Sequence, residues 1–173
     1  MNRKLFYSVL VLALAFSIAA LAQGDKKRPS PAAVAEGTID GVKVKINYSA
    51  PSARGRKMLG GIEKYGEVWR TGANETTSFE VDKDVTIEGK TLAKGKYALF
   101  TIPGESEWVV IINKTIKWGA FTYDQKDDLL RVNVKAGKPA SFVETFNISI
   151  EKDKVVLKWE NTQVEFKVAA AKA

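Results

Sequence analysis

Between residues 42 and 168 short runs of apolar and polar side chains alternating with a period of two recur, and almost nowhere does the chain keep a helical period. Val42, Val44, Ile46 and Tyr48 alternate with Lys43, Lys45 and Asn47, and Leu130, Val132 and Val134 oppose Arg131, Asn133 and Lys135. Phe146, Ile148 and Ile150, then Val155, Leu157 and Trp159, then Val164, Phe166 and Val168 repeat the pattern. Such alternation marks half-buried strands. Trp108 to Ile112 is continuously apolar, which predicts a central strand covered on both faces. Turn sequences at Glu88-Gly89-Lys90, Pro103-Gly104-Glu105-Ser106 and Glu151-Lys152-Asp153-Lys154 punctuate the strands, and Gly95 before Tyr97 predicts a tyrosine corner. One helical turn near 58–65 aside, no helix is available for the crossovers of a parallel sheet. The expectation is an all-β domain over 37–168, an antiparallel β-sandwich or jelly roll of eight or nine short strands with one long structured loop, followed by a tail at 169–173.

What precedes the strands is of another kind. Asn2-Arg3-Lys4 leads into Leu5–Ala22, which carries no charge and ends in Ala20-Leu21-Ala22. A charged start, an apolar stretch and a small-x-small ending are the parts of a cleaved export signal. Residues 1–22 are therefore read as a signal peptide, residues 23–36 as a flexible lead-in, and the mature chain as periplasmic or secreted, with no stable membrane anchor after cleavage near Ala22. The chain has no Cys and no His, so it has no disulfide framework, no thiol nucleophile and none of the commonest transition-metal ligands. No metal or cofactor is expected. The net charge of +7 comes from lysines scattered over strands and turns, not from a clustered basic face, which argues against nucleic acid.

One segment departs from the alternation. Tyr48 to Thr77 holds a loop of some 25 residues, long for a fold of this kind. Of the five arginines beyond residue 23, three lie in it: Arg54, Arg56 and Arg70. A planar guanidinium is used where a carboxylate, phosphate or carbonyl must be gripped by a fork of donors. The pattern Arg54-Gly55-Arg56, then Tyr65-Gly66-x-Val68-Trp69-Arg70-Thr71-Gly72-Ala73-Asn74-Glu75-x-Thr77, then Ile87-x-Gly89-Lys90-x-Leu92-x-x-Gly95-x-Tyr97, with Ile102-Pro103 and Glu107-Trp108, resembles the bacterial family catalogued as domain of unknown function 2911. The resemblance runs over roughly residues 29–168. It implies an exported, β-rich domain and brings no activity, ligand or catalytic residue.

The residues themselves suggest a polar or anionic ligand, a small molecule, glycan or envelope component, held by Arg54, Arg56, Trp69, Arg70, Asn74 and Glu75, with Trp69 as an apolar wall. Within that set, Arg54 and Arg56 are expected to be exposed ligand contacts, and Arg70 and Glu75 to form a buried pair that pins the loop. A metal-independent hydrolase or isomerase using Glu75 or Glu67 with Arg assistance is the alternative, and an accessory domain acting through protein contacts a third. The aromatic loop Lys117–Asp124 reads as packing onto the core, and Asp124, Asp127 and Asp128 as a solvated acidic turn.

Overall fold

The computed structural model describes residues 28–117 and 122–172. The signal-peptide reading of 1–22, and Trp118 and Phe121 of the aromatic loop, lie outside them. The described chain forms eleven strands and no α-helix: β1 (Ala32–Ile39), β2 (Val42–Ser49), β3 (Ser78–Val81), β4 (Val85–Ile87), β5 (Lys90–Leu92), β6 (Gly95–Ile102), β7 (Glu107–Asn113), β8 (Asp128–Gly137), β9 (Val143–Glu151), β10 (Lys154–Glu160) and β11 (Thr162–Ala170). All pairings are antiparallel, in the order β1-β2-β3-β6-β7-β8-β11-β10-β9. β9 lies against β1, so the sheet rolls almost into a barrel. The two layers expected of a sandwich are the opposite walls of this one sheet.

The five alternating segments and the continuous run Trp108–Ile112 all appear as strands, within a total of eleven where the sequence predicts eight or nine. β1 occupies part of what the sequence presents as a flexible lead-in over 23–36; it buries Ala35 and Ile39 and leaves most other positions exposed or half-buried, so its apolar signal is faint. β5 spans three residues beside a turn and pairs with β4. β11 also extends to Ala170, into the expected tail.

The alternation puts one face of every strand inside. Trp108, Trp159, Phe79, Phe146 and Phe166 are all fully buried there. As its continuous apolar run predicts, β7 is covered on both faces: Trp108, Val110 and Ile112 join the main core, while Ile111 packs outward with Ala98 and Phe100. Tyr123 closes that outer patch, its ring 5.1 Å from Phe100 in an edge contact. The tyrosine corner forms as predicted, with the Tyr97 hydroxyl donating to the Ala93 carbonyl at 2.8 Å.

At the seam between β1 and β9, Gly37 has no side chain because Ile150 fills the space. A Cβ there would stand 2.7 Å from Ile150 Cγ2, and a β-branched side chain has little freedom to move aside. Gly37→Ala is expected to lower unfolding stability by about 1–3 kcal/mol through overpacking. In a double-mutant cycle read by denaturant melts, Gly37→Ala and Ile150→Ala together should cost less than their sum.

A candidate site at the loop-capped end of the barrel

The long connection between β2 and β3, residues 50–77, closes one end of the barrel. Its anchor is Trp69, whose N–H donates to the Thr101 carbonyl at 2.7 Å and whose carbonyl accepts from Thr101 N–H at 2.9 Å. Since the Thr77 carbonyl accepts from Leu99 N–H at 2.8 Å, Trp69 prolongs the lane of β3 alongside β6. Its indole enters the core, stacked on Trp159 at 5.5 Å and 16° and edge-on to Phe146 at 5.0 Å, and its Nε1–H donates to the Gly72 carbonyl at 3.0 Å. With 1% of its surface exposed, Trp69 is a core residue and not the apolar wall of a ligand site.

Other parts of the loop are clipped by strands far along the chain. The Glu160 carboxylate accepts from Met58 N–H at 2.9 Å and Leu59 N–H at 2.8 Å. Gly66 N–H donates to the Pro103 carbonyl, and Arg54 N–H to the Glu144 carboxylate at 2.6 Å.

The arginines divide differently from the expectation. Arg56 donates Nε to the Ala53 carbonyl and Nη2 to the Ser52 carbonyl, both at 3.0 Å, which spends its fork on its own turn. Arg54 reaches the Pro29 carbonyl at 2.8 Å. The expected Arg70–Glu75 pair does not form. Glu75 is exposed and paired with Arg28 at 2.6 Å, and that hydrogen bond holds its carboxyl below the ordinary range. Asn74 donates to the Ser30 carbonyl at 3.0 Å. Thus Asn74, Glu75 and Arg54 fasten the segment 28–30 ahead of β1. Glu67 pairs loosely with Lys64 at 3.6 Å, both exposed, so Glu67 and Glu75 stand in separate surface ion pairs.

Arg70 is left over. It is half-buried, its Nε is shielded from solvent and has no hydrogen-bond partner, and it takes part in none of the ion pairs among the described residues. Near it lies Glu63, a half-buried carboxyl raised above its ordinary pKa by burial, an effect the Arg70 charge offsets only in part. The Tyr65 hydroxyl of the same loop is also pushed up, first by desolvation and then by the charges of Glu105 and Glu160. Thr71, directly after Arg70, holds φ at 57° while fully buried. A β-branched residue in that region is strained, and such strain persists only where surrounding contacts enforce it; here the hydroxyls of Thr71 and Thr101 are bonded at 3.1 Å and the Thr71 carbonyl accepts from Thr77 Oγ1 at 2.7 Å. Glu63 and Tyr65 escaped the sequence reading because they lie in what looks like a plain polar turn. The bend that brings Glu63 near Arg70 is not written in their spacing.

The acidic turn is likewise more ordered than its composition suggests. Asp128 accepts from Tyr123 at 2.7 Å, Arg131 Nε at 2.6 Å and Asn113 at 2.9 Å, and Asp127 accepts from Thr115 Oγ1 at 2.5 Å. This cluster is mutually satisfied. No group of three or more His, Cys, Asp or Glu among the described residues is placed to hold a metal ion.

The architecture is therefore that of a rolled antiparallel sheet whose end is plugged by an arginine-bearing loop. The chain belongs to the family described as protein of unknown function (DUF2911), whose model matches residues 30–168. No curated protein and no solved structure gives a match.

The loop's partners set its mutational response. Glu160→Ala strands two backbone donors that now share a carboxylate, and should cost about 2–3 kcal/mol. Arg70→Ala removes an unpartnered donor and should change stability by less than about 0.5 kcal/mol. Arg56→Ala should fall between them, at about 1 kcal/mol for one half-buried and one exposed bond to carbonyls. Denaturant melts of the three variants check this order.

Proposed function

We propose that this protein is an exported, non-catalytic binding protein that holds a small anionic molecule, or the acidic group of a glycan or envelope component, at the loop-capped end of the barrel through Arg70. The observation that carries this reading is the half-buried guanidinium with a shielded, unpartnered Nε. A buried donor without a partner costs free energy, and a forked oxyanion supplies the missing acceptors in matching geometry. The strained Thr71 φ beside it is the kind of outlier that clusters at ligand sites. Glu63 fits the same reading. A carboxyl already pushed toward its neutral form competes less with an incoming anion for the Arg70 charge. The export part rests on the charged start, apolar stretch and Ala20-Leu21-Ala22 ending of the sequence.

Calorimetric titration of the purified chain with a panel of carboxylates and phosphates tests the site. A bound anion should lose affinity by about ten- to a hundredfold in Arg70→Ala, the worth of a charge-assisted hydrogen bond. Arg54→Ala and Arg56→Ala should leave it nearly unchanged. Failure of every anion to bind, or equal binding by Arg70→Ala, overturns the reading. N-terminal sequencing of protein recovered outside the cytoplasm should begin at or near Gln23, and material kept in the membrane with Met1 intact overturns the export part.

Glu63 supplies a pH test. Because its folded pKa is raised, the folded state binds the proton more readily than the unfolded chain, so its contribution favours folding at low pH and is lost as pH rises through the carboxylate range. Glu63→Gln should therefore be more stable than the parent at pH 7, bind the anion more tightly there, and lose its stability advantage in acid.

A further inference from the structure

β8 is bonded to β7 along nearly its whole length, from Asp128 to Lys135. On its other edge it meets β11 at two positions, Gly137 with Gln163 and Ala136 with Val164. Beyond these the strands diverge, and the β4–β5 hairpin wedges between them, with β4 taking the far half of β11 from Val168 to Ala170. β5 approaches β8 without joining it in a ladder.

Which backbone groups face the gap follows from antiparallel alternation. Ala136 N–H donates to the Ser106 carbonyl, so the even residues of β8 turn toward β7. The Arg131 carbonyl accepts from Lys90 Nζ at 2.6 Å across the gap, so the odd residues turn into it. Asn133 and Lys135 thus present N–H and C=O to the gap with no strand opposite. On β11 the bonds of Gln163 to β8 and of Lys167 to Glu88 leave Glu165 facing the same space. Two grooves follow this edge, one of about 450 Å³ bordered by Glu88, Asn133, Lys135 and Glu165, the other of about 370 Å³ bordered by Lys90, Asp128 and Arg131.

The charges along the grooves are unequally engaged. Asp128 is tied to Arg131, Glu165 to Lys154, and Glu88 accepts from Lys167 N–H. Lys90, Lys135 and Glu88 are in none of the ion pairs among the described residues, so two lysine charges face one glutamate charge that no ion pair balances. We infer that the open edge of β8 is a docking site for an extended, acidic peptide segment of a partner protein, which adds as a strand on Asn133 and Lys135 while Lys90 and Lys135 take its carboxylates. An open edge supplies affinity through main-chain bonds, and the two lysines outside any ion pair, Lys90 on the Arg131 carbonyl and Lys135, select the charge.

Amide hydrogen exchange and fluorescence anisotropy, using a labelled peptide of alternating glutamate and valine, test this. In the free chain the Asn133 and Lys135 amides should exchange faster than those of Val132 and Val134, and peptide should slow them. The counterpart with lysine in place of glutamate should bind at least about tenfold more weakly, as should a Lys90→Glu, Lys135→Glu double variant against the acidic peptide, at about 1 kcal/mol or less per exposed charge. Lys135→Pro removes a donor facing the gap and none facing β7, and should weaken binding while the melt stays cooperative. If that variant does not fold, the charge reversal decides alone. The proposal is overturned if Asn133 and Lys135 are already as protected as their neighbours. It is overturned equally if neither peptide binds, if both bind alike, or if protection rises with protein concentration alone, which would make the partner a second copy.

Discussion

A sheet of nine strands rolled on itself encloses more space than its wall side chains fill from one end to the other, and interiors tolerate few voids. In this protein the loop between β2 and β3 supplies the missing volume as Trp69. The indole lies flat on Trp159 and edge-on to Trp108 and Phe146, so four aromatic side chains from four parts of the chain converge at one end of the barrel. Two backbone bonds to Thr101 hold the tryptophan as if it belonged to a strand. Every other feature of the loop is placed relative to that fixed point: the turn at Thr71 and Gly72, the exit toward β3, and Arg70 one residue away.

The described arginines differ more in their partners than in their exposure. Arg28 and Arg131 are answered by carboxylates, and Arg54 and Arg56 by backbone carbonyls. These four stitch segments together. Among the described residues Arg70 alone has its Nε buried without an acceptor. In a protein whose other described arginines are each spent on an internal acceptor, Arg70 keeps a buried donor without one, beside a strained residue.

Periodicity reveals the walls of this barrel because each strand has one wet and one dry face, a property of consecutive residues. It misses β1 because Ala32–Ile39 contributes only Ala35 and Ile39 to the buried set. In the loop, the local sequence misleads. Arg70 and Glu75 are close enough along the chain to suggest a pair, but positive φ values at Thr71 and Asn74 turn the backbone away, and Glu75 meets Arg28 instead. Trp69 reads equally well as a surface platform or a plug, since its burial is decided by Trp159, ninety residues on. The concentration of arginine in one segment marks the loop that caps the barrel, and of its three arginines only Arg70 has a buried nitrogen without an acceptor.

The clips on the loop connect residues very distant in sequence. Met58 and Leu59 are held by Glu160, and Arg54 by Glu144, while Gly37 of the first strand rests on Ile150. Closing such long intervals costs chain entropy before any contact rewards it, which makes folding slow. A nascent chain that has emerged only as far as β8 holds a loop with no clasp and a barrel with no closing wall. Its tryptophans are then open to solvent or to other chains. Trp69 and Trp108 become sheltered only when the C-terminal hairpin arrives, so the order of assembly runs against the order of synthesis. The last strands made complete the loop between β2 and β3.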